Sequence, residues 1–204
     1  MDQTRIVEWL NSKFSAFDYN LLSSLHNLAE ITDGNVTGTF EVVGILSDKG
    51  VLLLLAGIVF FTFKSTRKAG FCLSGAVCCS AFLTLLFKDV IARPRPFVDA
   101  AGLYHSWWQY IAEPAESGFT FPSGHTTVAM AAATALFLVV DKKISSTSFI
   151  FVIITGISRC YLMVHYPSDI LGGMIIGTAG AVITWALSAA VVNKAISDKP
   201  NINC

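Results

Sequence analysis

Charge is scarce in this sequence. Asp, Glu, Lys and Arg make up only 14% of its 204 residues, where an ordinary soluble domain carries about 25%. The formal net charge is zero, so bulk electrostatics give no argument for a nucleic-acid partner. Of the five cysteines, Cys72, Cys78, Cys79 and Cys160 lie in apolar stretches and Cys204 is terminal. They form no disulfide framework and no metal-ligand spacing with the histidines; they read as inert thiols that pack as small hydrophobes. Internal repeats and low-complexity tracts are absent. The N-terminus lacks the basic start, short apolar core and small-residue cleavage site of a signal peptide.

Apolar residues are abundant, at 53% with a mean hydropathy of +0.61, and they fall in long blocks. The pattern predicts one all-α domain over 1–204, a polytopic membrane helical bundle rather than a large soluble core. Five segments approach membrane length: 42–63, 69–87, 126–140 (extended back to Ser123), 147–164 and 170–192, together a transmembrane core over 42–192. Small residues such as Ala129, Ala135, Gly173 and Gly177 suit close helix–helix packing. Ahead of the core, residues 4–31 carry a helical stripe of Ile6, Leu10, Phe14, Phe17, Leu21, Leu25 and Leu28, with Asp18 and His26 on the polar side. This amphipathic helix either lies along the membrane surface or covers the bundle with its apolar side; six spans result if it crosses. Asp33-Gly34-Asn35 ends it as a turn, and His26 reads as a surface histidine.

Three connectors carry cations on one side: Lys64, Arg67 and Lys68; Lys142 and Lys143; Lys194 and Lys199. The positive-inside rule makes that side cytoplasmic. The long loop 89–121 and the junction at His165 then face the extracytoplasmic side. Tyr104, Trp107, Trp108 and Tyr110 in that loop suit the headgroup level of a bilayer, either as simple anchors or as a lip around a bound headgroup. His105 reads as solvated.

Three polar clusters converge on that side, where charge among apolar spans points to function. The first holds Lys88 and Arg95. Pro94 and Pro96 end the helix near Ala92 and fold Arg95 back over its end, offering a bidentate phosphate contact beside the point charge of Lys88. Interface anchors that snorkel to water are the alternative. The second is Pro122-Ser123-Gly124-His125, with Ser123 as a helix N-cap, an oxyanion at the helix start and His125 as donor to a leaving alkoxide. A plain first-turn histidine is the alternative. In the third, Arg159, His165 and Asp169, the helix loosens before Tyr166-Pro167 and Ser168 caps the next one. Asp169 then reaches one ring nitrogen of His165 and the other is free to attack. A structural Arg–Asp pair beside a spectator histidine is the alternative.

Taken together, these clusters resemble the type 2 phosphatidic acid phosphatase (PAP2) superfamily, which includes vanadium haloperoxidases. Its pattern of Lys, six residues, Arg-Pro; Pro-Ser-Gly-His; and Ser-Arg, five residues, His, three residues, Asp is met throughout. The resemblance implies a PAP2/haloperoxidase-like helical core with His165 attacking phosphorus, Asp169 supporting it and His125 as general acid. It implies that Lys88, Arg95, Ser123, Gly124 and Arg159 hold the phosphoryl oxygens. No cofactor and no metal are implied, and no carboxylate cluster is left over to bind one. Met163 departs from the pattern where glycine often stands, and Arg93 is an extra cation read as solvent-facing. The expected function is an integral membrane lipid phosphatase at the extracytoplasmic face of the cell membrane, working among membrane lipids on a lipid phosphate. The short chain resembles bacterial members that hydrolyse undecaprenyl diphosphate; phosphatidylglycerophosphate and phosphatidic acid are alternative substrates. A vanadate-dependent haloperoxidase and a non-catalytic headgroup binder are the alternatives from other classes.

Overall fold

A computed structural model describes residues 3–111 and 116–197; Cys204 and Lys199 lie outside them. The described residues are nearly all helical, in the order α1 (Gln3–Lys13), α2 (Ser15–Ile31), α3 (Thr37–Leu46), α4 (Val51–Thr62), α5 (Arg67–Ile91), α6 (Leu103–Tyr110), α7 (Gly124–Val139), α8 (Lys142–Ser145), α9 (Ser148–Tyr161) and α10 (Pro167–Ser197). Among the described residues, three stretches are long and apolar enough to cross a membrane: Arg67–Val98, Lys142–Tyr161 and Pro167–Ala190. The α3–α4 pair makes a fourth if taken together, bent by 43°. Large apolar side chains such as Ile58, Phe82, Leu85, Ile153 and Ile175 face outward. Such an exposed belt suits contact with lipid tails rather than water.

At the centre lies α7, the shorter apolar helix. Its 16 residues fall below the ~20 needed to span a bilayer. Its alanines are buried against α5 and α10. Close approach depends on glycine: a methyl at Gly177 of α10 would meet the Thr127 carbonyl of α7. The small-residue stripes expected to pack helices do so here.

Two elements differ from their expected form. The segment expected to run unbroken over 42–63 begins at Thr37 and breaks at a 3₁₀ turn, Asp48–Gly50. Gly50 takes φ +70° there, a conformation costly for any other residue. The single helix expected over 4–31 is split at Phe14, and α2 is turned about its axis relative to its stripe. Asp18, Leu22, His26 and Ala29 are buried, while Phe17, Leu21 and Leu28 are exposed. The reason is pairing across the fold. Asp18 meets Arg93, and His26 stacks on Trp107 with ring centroids 4.8 Å apart, so His26 is not a surface residue. The long loop is not structureless, since it contains a 3₁₀ turn, Pro96–Val98, and α6. Trp107 of α6 faces α2, and Trp108 stacks on Phe97, so these two rings brace the loop. His105 holds the Phe97 carbonyl at 2.6 Å.

Candidate active site

Each polar cluster reaches the site because its helix stops where the sequence forces it to. Ala92 closes α5 in the left-handed region, φ +54°, and the Arg-Pro-Arg-Pro run continues in extended form. Ser123 is the N-cap residue of α7. Chain exit from α9 turns through Met163, also left-handed at φ +53°. Pro167 opens α10, where a missing N–H costs nothing.

These ends enclose a cavity of about 420 Å³ lined by Lys88, Arg95, Glu116, Gly124, His125 and His165. Both imidazoles therefore face one hollow. Arg95 is 4% exposed and heavily anchored, donating to the carbonyls of Val164, Ser117 and Gly118 at 2.8–3.0 Å. Its Nη2 also lies 3.3 Å from Glu116 Oε2. Arg159 does not line the wall itself; its Nη1 meets Glu116 Oε1 at 3.1 Å. Its guanidinium packs on Gly44, where a Cβ would collide with it, and its buried Nε has no partner among the described residues. One carboxylate thus bridges two arginines at the cavity, where an anion is expected. His125 Nε2 lies 3.6 Å from Asp48 Oδ1.

Behind His165, Asp169 is fully buried. Its Oδ2 lies 3.6 Å from His165 Nδ1, too far for a direct hydrogen bond. Thr120 closes the gap: its hydroxyl is 2.9 Å from Nδ1 and donates to Oδ2 at 2.6 Å. That donation leaves the hydroxyl able only to accept from Nδ1–H, so the lone pair resides on Nε2. Burial, the largest influence, pushes the His165 imidazolium down to about pKa 4, so the ring is neutral at ordinary pH and able to attack.

Ser123 is buried rather than on the wall; its hydroxyl pairs with Thr126 and its N–H donates to the Asp169 carbonyl. Ser168 does not cap α10. The Asp169 carboxylate does so by accepting from Tyr166 N–H at 2.8 Å, and Ser168 bonds Asp18. Arg93, expected to face solvent, is 1% exposed and donates to Asp169 Oδ1 at 2.6 Å. Thr120 and Glu116 carried no sequence signal as single polar residues in a long loop. Arg93 did carry one, as a cation directly before Pro94 and between Lys88 and Arg95. Among the described residues, no group of three or more His, Cys, Asp and Glu side chains could hold a metal ion.

The chain is 33% identical over 128 residues to undecaprenyl-diphosphatase BcrC of Bacillus subtilis, covering 61% of this chain and 60% of that protein. It is 30% identical over 116 residues to an undecaprenyl-diphosphatase of Sulfolobus acidocaldarius, covering 57% and 53%. The matches thus span a little over half the length of these relatives. In fold it is similar to the crystal structure of a transmembrane PAP2-type phosphatidylglycerolphosphate phosphatase from Bacillus subtilis, with TM-score 0.54, 23% identity, and 88% of this chain and 96% of that one covered. Residues 69–192 match the PAP2 superfamily, and these include both histidines, Asp169 and the three cations of the site, so the chain belongs to that superfamily.

Proposed function

We propose that this protein is an integral membrane lipid phosphatase that hydrolyses a lipid phosphate or diphosphate, undecaprenyl diphosphate first among them, through a phosphohistidine on His165. The observation that carries the reading is the shared cavity: two imidazoles and two fixed cations face it, with Arg159 joined to it through Glu116. The undecaprenyl-diphosphatase relatives support the choice of lipid.

In this reading the phosphoryl group displaces Glu116 from Arg95 and Arg159 and sits against Lys88 and the first N–H groups of α7. His165 Nε2 attacks phosphorus. The P–N bond forms as the P–O bond to the leaving group breaks, and His125 supplies the proton that the leaving oxygen takes. Asp169, acting through Thr120, stabilises the imidazolium-like ring as its charge grows. Water then attacks phosphorus, His125 accepts its proton, and the P–N bond breaks to free phosphate and neutral His165. Cations fixed before the substrate arrives favour the transition state, because no reorganisation is needed as charge shifts. The extracytoplasmic placement is supported by the basic connectors at the opposite helix ends.

The test is phosphate release by the detergent-purified protein from undecaprenyl diphosphate, phosphatidylglycerophosphate and phosphatidic acid in EDTA. Release from at least one, fastest from the undecaprenyl lipid and abolished in His165→Ala, is expected. No release from any of them, or full turnover by His165→Ala, contradicts the reading.

A further inference from the structure

Arg93 and Asp18 have no part in the steps above, yet they form a buried chain of alternating charge behind the nucleophile. Arg93 Nη1 lies 2.6 Å from Asp169 Oδ1 and Nη2 lies 3.1 Å from Asp18 Oδ2. Its Nε donates to Asn11 at 2.9 Å, and its guanidinium lies 4.0 Å from the centre of the Tyr166 ring. Asp18 is 3% exposed and accepts from Ser168 N–H at 2.8 Å and Ser168 Oγ at 2.7 Å. Nη1 donates also to Ser168 Oγ at 2.8 Å, so each of the three guanidinium nitrogens has a partner, and Asp18 grips the first turn of α10, the turn that carries Asp169.

A cation so close to Asp169 would by itself weaken that carboxylate's support of His165. Asp18 on the far side of Arg93 offsets this by drawing the guanidinium charge toward itself. Asp18 belongs to α2, outside the 69–192 stretch that matches the superfamily. An N-terminal element ahead of that stretch therefore reaches the carboxylate behind His165.

We infer that Asp18 and Arg93 are positioning residues that set the orientation and charge balance of the Asp169–His165 pair, making the α1–α2 arm a working part of the active site. The catalytic consequence rests on the phosphatase reading; the effect on the His165 ring does not. His165 is also faced by Lys88 and Arg95 from the α5 end and by His125 from α7, and all of these stay unchanged in the variants below.

The experiment compares full-length Asp18→Asn, the double variant Asp18→Asn/Arg93→Gln, and Arg93→Lys with the parent. It reads the ¹⁵N ring titration of His165, kcat and KM on the lipid phosphates, and thermal unfolding. In Asp18→Asn the unbalanced guanidinium should lower the His165 midpoint by about one pH unit and kcat roughly tenfold, with KM within about twofold. Removing the opposing charge as well should return the midpoint toward the parent, a coupling a plain anchor does not give. Arg93→Lys, which keeps the charge but loses the fork, should keep the midpoint and lower kcat. An unmoved midpoint with parental kcat in Asp18→Asn, whatever its melting temperature, overturns the inference and leaves only an anchor. Should Asp18→Asn fail to fold, parental kcat in Arg93→Lys overturns it equally. Shifted midpoints without phosphate release from the parent overturn the phosphatase reading and leave the charge relay standing.

Discussion

At the scale of single residues, the account turns on how a buried imidazole is kept neutral, oriented and nucleophilic. Burial holds the His165 ring neutral down to about pH 4. Loss of the attacking form therefore begins near that value, well below the ordinary histidine range. Burial and the Arg159 charge push the His125 imidazolium down to about 2 as well, so His125 gains its proton only beside the anionic substrate. The acid limb of kcat, which reports the bound complex, should therefore lie below the ordinary histidine range; an acid limb at about pH 6.5 would contradict this. Thr120→Val leaves Nδ1 and Asp169 Oδ2 without their bridge. An unsatisfied buried partner costs about 1–3 kcal/mol, so kcat should fall roughly tenfold to a hundredfold with KM little changed; a parental kcat would place orientation elsewhere. Met163 poses a different balance. Its left-handed backbone costs about 1–2 kcal/mol, which explains why glycine suits the position. Its side chain, however, is fully buried, and removing such a chain costs about 2–5 kcal/mol. Burial outweighs strain, so Met163→Gly should lower thermal stability; a rise would reverse that ranking. His165, His125 and Asp169 could be singled out as candidates from the sequence because motif spacing marks them. Thr120 could not, because a hydroxyl gains meaning only from what lies 2.9 Å away in the fold.

At the scale of helices, ends matter more than lengths. The helix breaks at the Pro94–Pro96 run and before Tyr166-Pro167 were legible because proline restricts backbone geometry locally. The rotation of α2 was not. Its periodic stripe identifies a helix but not which face turns inward, and one buried Asp18–Arg93 pair outweighs several half-exposed leucines. Burying an unpaired charge costs far more than exposing part of an apolar side chain. The α3 helix tests the cation side of the site. Gly44 leaves room for the Arg159 guanidinium, and Gly44→Ala should drive it from its place. Loss of a charged hydrogen bond of about 1.5–3 kcal/mol should lower kcat/KM roughly tenfold to a hundredfold, and Arg159→Ala should do the same. An unchanged kcat/KM in both variants would remove Arg159 from phosphate binding.

At the scale of the molecule, one long helix connects two chemically distinct ends. From Arg67 to Lys88, α5 rises roughly 30 Å at about 1.5 Å per residue, close to the hydrocarbon thickness of a bilayer. Arg67 and Lys68 therefore mark one end of the bundle and the catalytic cavity the other, an arrangement the sequence conveyed through alternating apolar blocks and charged connectors. What it could not convey was that residues 15–31, ahead of the matched stretch, would reach the carboxylate behind His165 through Asp18 and Arg93. The claim on which everything else depends is covalent, and rapid mixing with ³²P-labelled lipid phosphate followed by alkaline quench tests it directly. The account predicts an acid-labile, alkali-stable label on the peptide containing His165, formed at the rate of turnover and absent in His165→Ala. Turnover with no such label at any time point, or with the label on another residue, would contradict it.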